Sequence, residues 1–152
     1  MLNGERVLDL GSGAGLPGVP LAISAPERSF VLLDRSSRRV RFLKQVVRNL
    51  SLSHVEVVEG DFGQVIGEDD LYDTITARGV TTAPEVWAMV GRNVSASGRI
   101  LVYESTQMSI EEDEPSRAES NQAESADVKV ERYVYNVAGL EHNHSILIMA
   151  HA

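Results

Sequence analysis

Two carboxylates and a run of glycines are the residues of this chain best suited to chemistry. Residues 7–18 read Val-Leu-Asp-Leu-Gly-Ser-Gly-Ala-Gly-Leu-Pro-Gly. Asp9 stands two places before the first of four glycines, Gly11, Gly13, Gly15 and Gly18. A second acid, Asp34, closes the apolar run at 30–33. Glycines let the backbone approach a ligand closely, because no Cβ stands in the way. Two acids flanking such a loop suit a nucleoside that also carries an ammonium group, and S-adenosylmethionine is such a molecule. Asp9 would meet its methionine ammonium directly or through water. Asp61, in Gly60-Asp61-Phe62, would offer a polar group to an adenine edge.

These residues need a scaffold that brings them together, and the chain alternates strand and helix. Apolar runs predict strands at 5–10, 29–34, 54–59, 71–77 and 98–103. Helices are predicted at about 16–25, 37–50 and 83–94. In the second helix, Val40, Leu43, Val47 and Leu50 recur at spacings of three and four, one stripe facing a sheet. Ser36 or Ser37 could cap its start, and Ala96-Ser97-Gly98 reads as the turn into the fifth strand. Trp87 reads as core packing. Such alternation implies a parallel sheet with right-handed crossovers, and a ligand crevice beyond the carboxyl ends of its strands. After Ser105 the pattern stops. Residues 105–126 are acidic and serine-rich, the composition of a mobile loop. Strand signals return at 128–135 and 146–149 as a terminal hairpin. The whole, 1–152, reads as one domain.

Bulk composition narrows the classes. The chain has no cysteine, which excludes disulfides, thiolate metal sites and methylation of pyrimidine carbon through a cysteine adduct. His142 and His144 lack the carboxylate company of a metal site, so no metal is expected. No apolar run is long enough to span a membrane, and no secretory signal is evident; the expected location is cytoplasmic, the expected state a monomer. The net charge of −8 is unevenly spread. Arg35, Arg38, Arg39, Arg41, Lys44 and Arg48 are six of the fourteen basic residues, and no acid lies between Asp34 and Glu56. Local potential matters more to a polyanion than the sum does.

Gly13, Gly15 and Gly18 also satisfy the dinucleotide pattern G-x-G-x-x-G, a weak signal alone. A pyrophosphate gains nothing from Asp9, and no second domain to hold a hydride-transfer substrate is expected within residues 1–152. The sulfonium reading therefore stands ahead of a nicotinamide.

Residues 7–23 resemble the cofactor loop of the GidB/RsmG family, bacterial methyltransferases that modify guanine N7 in small-subunit ribosomal RNA. Residues 32–43 resemble the family's second strand and basic helix. Residues 72–80 resemble its fourth strand, which ends in an arginine, here Arg78. The similarity runs from about Gly4 to Leu101, and the Leu-Pro-Gly extension of the loop is its most specific part. The resemblance implies an α/β, Rossmann-like class I S-adenosylmethionine-dependent methyltransferase. Its mainly parallel seven-stranded sheet would end in an antiparallel hairpin.

On this resemblance Asp34 accepts from both ribose hydroxyls, and amides of Gly11, Gly13 and Gly15 line the cofactor carboxylate. Ser12, Leu16 and Arg35 belong to the same cofactor set, and Asp61 and Phe62 serve the adenine. No catalytic residue is assigned, because guanine N7 carries an in-plane lone pair and its methylation needs placement rather than a base. Arg78 would grip guanine O6 or a phosphate, or else pair with Glu104 or Asp73. Arg38, Arg39 and Arg41 would meet ribosomal RNA along the helix at 35–48. Members of the family carry an N-terminal helical region, whereas Met1 here stands just before the first strand, so either a short form or a more open cofactor pocket is expected. Their fifth strand ends in lysine-glycine where this chain has Glu104-Ser105, an anion that repels nearby phosphate by ~1 kcal/mol. Methylation of a small molecule or another substrate, and cofactor binding without catalysis, stay open at this point.

Overall fold

After Arg6, every residue of strand β1 (Arg6–Leu10) is buried, as a central strand requires. In the computed structural model, which describes residues 2–105, 127–137, 139 and 144–152, the chain continues through α1 (Gly18–Ser24), β2 (Ser29–Asp34) and α2 (Ser37–Asn49). It then forms β3 (Val55–Glu59), the short α3 (Phe62–Val65), β4 (Tyr72–Arg78) and α4 (Ala83–Val90). Strands β5 (Val94–Ser105), β6 (Val128–Tyr135) and β7 (His144–His151) complete it. Apart from Ser105, the acidic loop expected at 105–126 lies outside the described residues, as does His142.

The seven strands form one sheet in the order β3-β2-β1-β4-β5-β7-β6. Pairing is parallel from β3 through β5, and antiparallel where β7 meets β5 and β6. The hairpin is thus present, with β7 inside the sheet and β6 on its edge. Chain order reverses between β1 and β4, so a crevice opens above their carboxyl ends.

Alternation along each strand sorts side chains onto two faces. On one face Val7 and Phe30 pack with Ala22 of α1, and Leu32 packs with Val19 and with Leu43 of α2. On the other, Leu8, Leu10, Ile75, Ile100 and Val102 meet Val86 and Val90 of α4, the largest core cluster. Trp87 lies against that core and meets the His151 ring edge-on at 5.2 Å.

Three expectations change. The fifth strand begins at Val94, so residues 96–98 lie within it. Pairing jumps there from Tyr72–Val94 to Thr74–Arg99, and the extra residues on β5 are accommodated as a bulge. The helix expected to reach residue 94 ends at Val90 in a tighter turn (Gly91–Asn93), where Asn93 Nδ2 donates to the carbonyls of Gly67 (2.8 Å) and Asp70 (2.9 Å). Ser36 occupies the N-cap of α2 without a side-chain cap, and Ser37 Oγ donates instead to Glu59.

Gly18 opens α1 directly over β1, and a Cβ there would collide with Asp9 Oδ2 and Leu32 Cδ2. Both neighbours are buried and unable to yield. Gly18→Ala is therefore expected to lower stability by ~1–3 kcal/mol, the usual cost of overpacking, in urea unfolding.

Candidate functional site

The glycine loop is tied down at several points before any ligand arrives. Ser12 N donates to the Leu33 carbonyl (2.9 Å), Gly15 N to the Ser12 carbonyl (2.7 Å) and Val19 N to the Gly15 carbonyl (2.7 Å). Ser12 is 2% exposed, and its hydroxyl donates to the Asp9 carbonyl at 3.0 Å. It acts under the loop, fastening β1 to β2. Gly13 has φ +59°, a left-handed conformation that disfavours any side chain. A Cβ on it would meet nothing nearer than the Gly11 carbonyl at 3.8 Å. Backbone and open space therefore coincide, which fits a ligand laid against the loop. Gly11 and Leu16 are exposed on the same turn.

Asp9 is 1% exposed, and both its oxygens are used. Oδ1 accepts from Thr76 Oγ1 on β4 at 2.6 Å, and Oδ2 from Gly18 N at 3.2 Å. Each oxygen is thus engaged by a protein donor beneath the loop, with acceptor capacity left on the carboxylate for one more. As the structure stands, Asp9 positions the loop from beneath. Burial pushes its carboxyl above the ordinary value, opposed by hydrogen bonds, Thr76 foremost.

Asp34 is 3% exposed at the end of β2. Oδ2 accepts from Gly13 N and Oδ1 from Ser36 N, both at 2.8 Å. Arg39, one turn into α2, brings its guanidinium to 3.7 Å from Oδ2. Each carboxylate oxygen can accept more than one donor, so these bonds leave capacity for hydroxyls. The remaining arginines of α2, Arg38, Arg41 and Arg48, are exposed, as is Arg35 just before it. The apolar stripe faces inward through Val40 and Leu43, which turns the charged residues to solvent.

Arg78 ends β4, beside the glycine loop across the switch point, and is exposed. It makes no hydrogen bond or ion pair with the described residues. Both alternative partners are engaged elsewhere. Asp73 accepts from Glu5 N (2.8 Å), Arg6 N (3.0 Å) and Ser95 Oγ (2.7 Å). Glu104 meets Arg132 at 3.4 Å. Alternation places Glu104 on the α4 face, away from Asp9 and Arg78, so the repulsion expected of it is directed elsewhere and compensated.

Asp61 is exposed at the N-cap of α3, where its side chain makes no cap bond. Phe62 is half-buried against the main core, leaving only part of its ring for a ligand. Two residues enter that sequence reading missed. Thr76 carries the bond to Asp9; its signal is a hydroxyl in a strand whose neighbours Ile75 and Ala77 are buried and apolar. Tyr103 pairs in register with Arg78, and its hydroxyl is held up by burial, then by Tyr135 and Asp9 nearby.

Residues 1–139 match the profile of the family described as rRNA small subunit methyltransferase G. The ribosomal RNA small subunit methyltransferase G of Methylococcus capsulatus is 39% identical over 100 residues, 66% of this chain and 48% of that protein. Its namesake from Nitrosococcus oceani is 49% identical over 77 residues, 51% of this chain and 36% of the relative. The chain spans about half the length, or less, of these curated relatives. A SAM-dependent methyltransferase from Aquifex aeolicus superposes with TM-score 0.68 at 17% identity, over 97% of this chain and 82% of that one. Coclaurine N-methyltransferase bound to N-methylheliamine and SAH superposes with TM-score 0.61 at 19% identity, over 69% and 32%. The fold is the Rossmann-like class I methyltransferase fold, as expected.

Because the folded pKa of Asp9 is raised, the folded chain binds the extra proton between the ordinary value of 3.8 and that raised value. Stability from this group is therefore lost as pH rises through the window. Asp9→Asn removes the ionisation. The stability advantage of wild type over D9N is expected to shrink as pH rises above the ordinary carboxylate value of 3.8 in urea unfolding; a widening gap contradicts the assignment.

Proposed function

The chain belongs to the rRNA small subunit methyltransferase G family, and on that premise we propose that it carries the methyl group of S-adenosylmethionine to guanine N7 in small-subunit ribosomal RNA. The observation carrying this reading is the pairing of two features at one switch point. A glycine loop with its open side at Gly13 lies opposite an arginine with no partner among the described residues. The solved relatives whose descriptions name SAH support the cofactor.

When bound, S-adenosylmethionine supplies an electrophilic methyl on sulfur, which the lone pair of guanine N7 can take with no proton transferred. The protein's work is then placement and exclusion of water. Asp34 accepts from the ribose hydroxyls, and the amides of the loop meet the cofactor carboxylate. Asp9 and Ser12 hold the loop in that shape. Arg78 holds the incoming nucleotide, its planar fork matching guanine O6 or a phosphate. Arg38 and Arg41 meet phosphates farther along the strand. No general base is required.

Asp34→Ala is expected to weaken S-adenosylmethionine binding by about 10- to 100-fold in calorimetry, the loss of hydrogen bonds to a charged acceptor. Arg38→Glu with Arg41→Glu spares Arg39, which touches Asp34. That double variant should keep cofactor affinity yet lose methyl transfer to small-subunit RNA, and its log–log salt slope for RNA binding should fall by about 0.7 per lost contact. Unchanged transfer would remove the RNA assignment; no heat with the wild-type chain would remove the cofactor.

A further inference from the structure

The carboxyl-end rim of the sheet continues past Arg78 onto strands that no part of the proposed reaction uses. Tyr103 stands in register with Arg78 on one side and Ile146 on the other, and Ile146 with Tyr133. One row higher, His144 pairs with Tyr135. Alternation puts Tyr103, Tyr133, Tyr135 and His144 on the face that carries Asp9 and Arg78.

Three of these rings form a ladder. Tyr133 and Tyr135 have centroids 6.3 Å apart and planes 24° from parallel; Tyr135 and His144 are 5.6 Å apart at 30°. Tyr133 is 48% exposed. Helices α1 and α2 pack over the β1, β2 and β3 end of this face, and α4 over the opposite face. Among the described residues no helix is assigned to the ladder.

We propose that this ladder is a stacking platform for the unpaired nucleotides flanking the base that enters the cleft, an inference that rests on the RNA reading above. A sheet that presents aromatic rings matches single-stranded RNA, whose splayed bases stack on them. Continuity supports the occupant: a strand delivering its base to the crevice beside Arg78 crosses Tyr103 before it reaches Tyr135 and Tyr133. Charge permits it. Glu131, the acid on this face of β6, is matched by Lys129 at 2.8 Å, and Glu104 points to the other face with Arg132.

The test is a titration of a single-stranded oligoribonucleotide carrying 2-aminopurine beside a guanine, whose fluorescence falls on stacking. Tyr133→Ala with Tyr135→Ala is expected to weaken binding by about tenfold per ring and to abolish the quench. Tyr133→Phe with Tyr135→Phe should keep both, and all forms should bind S-adenosylmethionine alike and a fully paired RNA duplex alike. If the alanine form binds, quenches and methylates like wild type, the platform is wrong while the functional reading stands. If the phenylalanine form fails as badly as the alanine form, or duplex binding falls equally, stacking is not the cause and the proposal falls. A wild-type chain that binds cofactor but no RNA removes both readings together.

Discussion

A single buried carboxylate joins the three elements that meet at the switch point. Asp9 sits on β1, takes a hydroxyl from Thr76 on β4, and takes the first amide of α1 at Gly18. Burying a charge without partners is costly, and these two donors are what offset it. The neutral form is also tolerable, since a protonated Asp9 could donate to Thr76 Oγ1 and still accept from Gly18. The bond network therefore survives either protonation state. With the start of α1 fixed, the loop between β1 and α1 has little freedom except on its open side. The packing of Gly18 against Asp9 and Leu32 then follows from the same constraint.

Asp34 repeats this device one strand away, with a different balance. Its donors are backbone amides on either side of it, Gly13 from the loop and Ser36 from the start of α2. It links the loop to the basic helix, and Arg39 approaches from that helix as well. Arg39 is 62% exposed, so its attraction to Asp34 is screened and modest. The proposed phosphate contacts along α2 and the proposed occupancy of the loop are thus linked through one ion pair, Arg39 with Asp34.

The strands and the loop were legible because each is a local signal. Apolar runs mark buried parallel strands wherever they pair, and five of the seven strands are of that kind. What was not legible depended on register. Residues 96–98 look like a turn in isolation and become a bulge only because β4 fixes Tyr72 against Val94 and Thr74 against Arg99. Ser36 has the side chain of a helix cap, yet Asp34 takes its amide. Asp9 reads as a ligand contact from its spacing to the glycines. Its hold on the loop from beneath becomes visible once Thr76 stands beside it.

Charge offers the same lesson at larger scale. A net charge of −8 argues against binding a polyanion if it is averaged over the surface. The fold does not average it. The stripe that buries Val40 and Leu43 turns the arginines of α2 outward, and strand alternation sends Glu104 to the opposite side of the sheet from Arg78. Arg132 then meets Glu104 there, so the anion that looked misplaced at the end of β5 is neutralised away from the crevice. A screening length of about 8 Å at physiological salt makes such placement decisive, because a phosphate at the rim responds to its immediate neighbours and hardly to the total. At the crevice the guanidinium of Arg78 has no partner among the described residues, while Asp9 and Asp34 are each held by amides of the loop and of the helix starts.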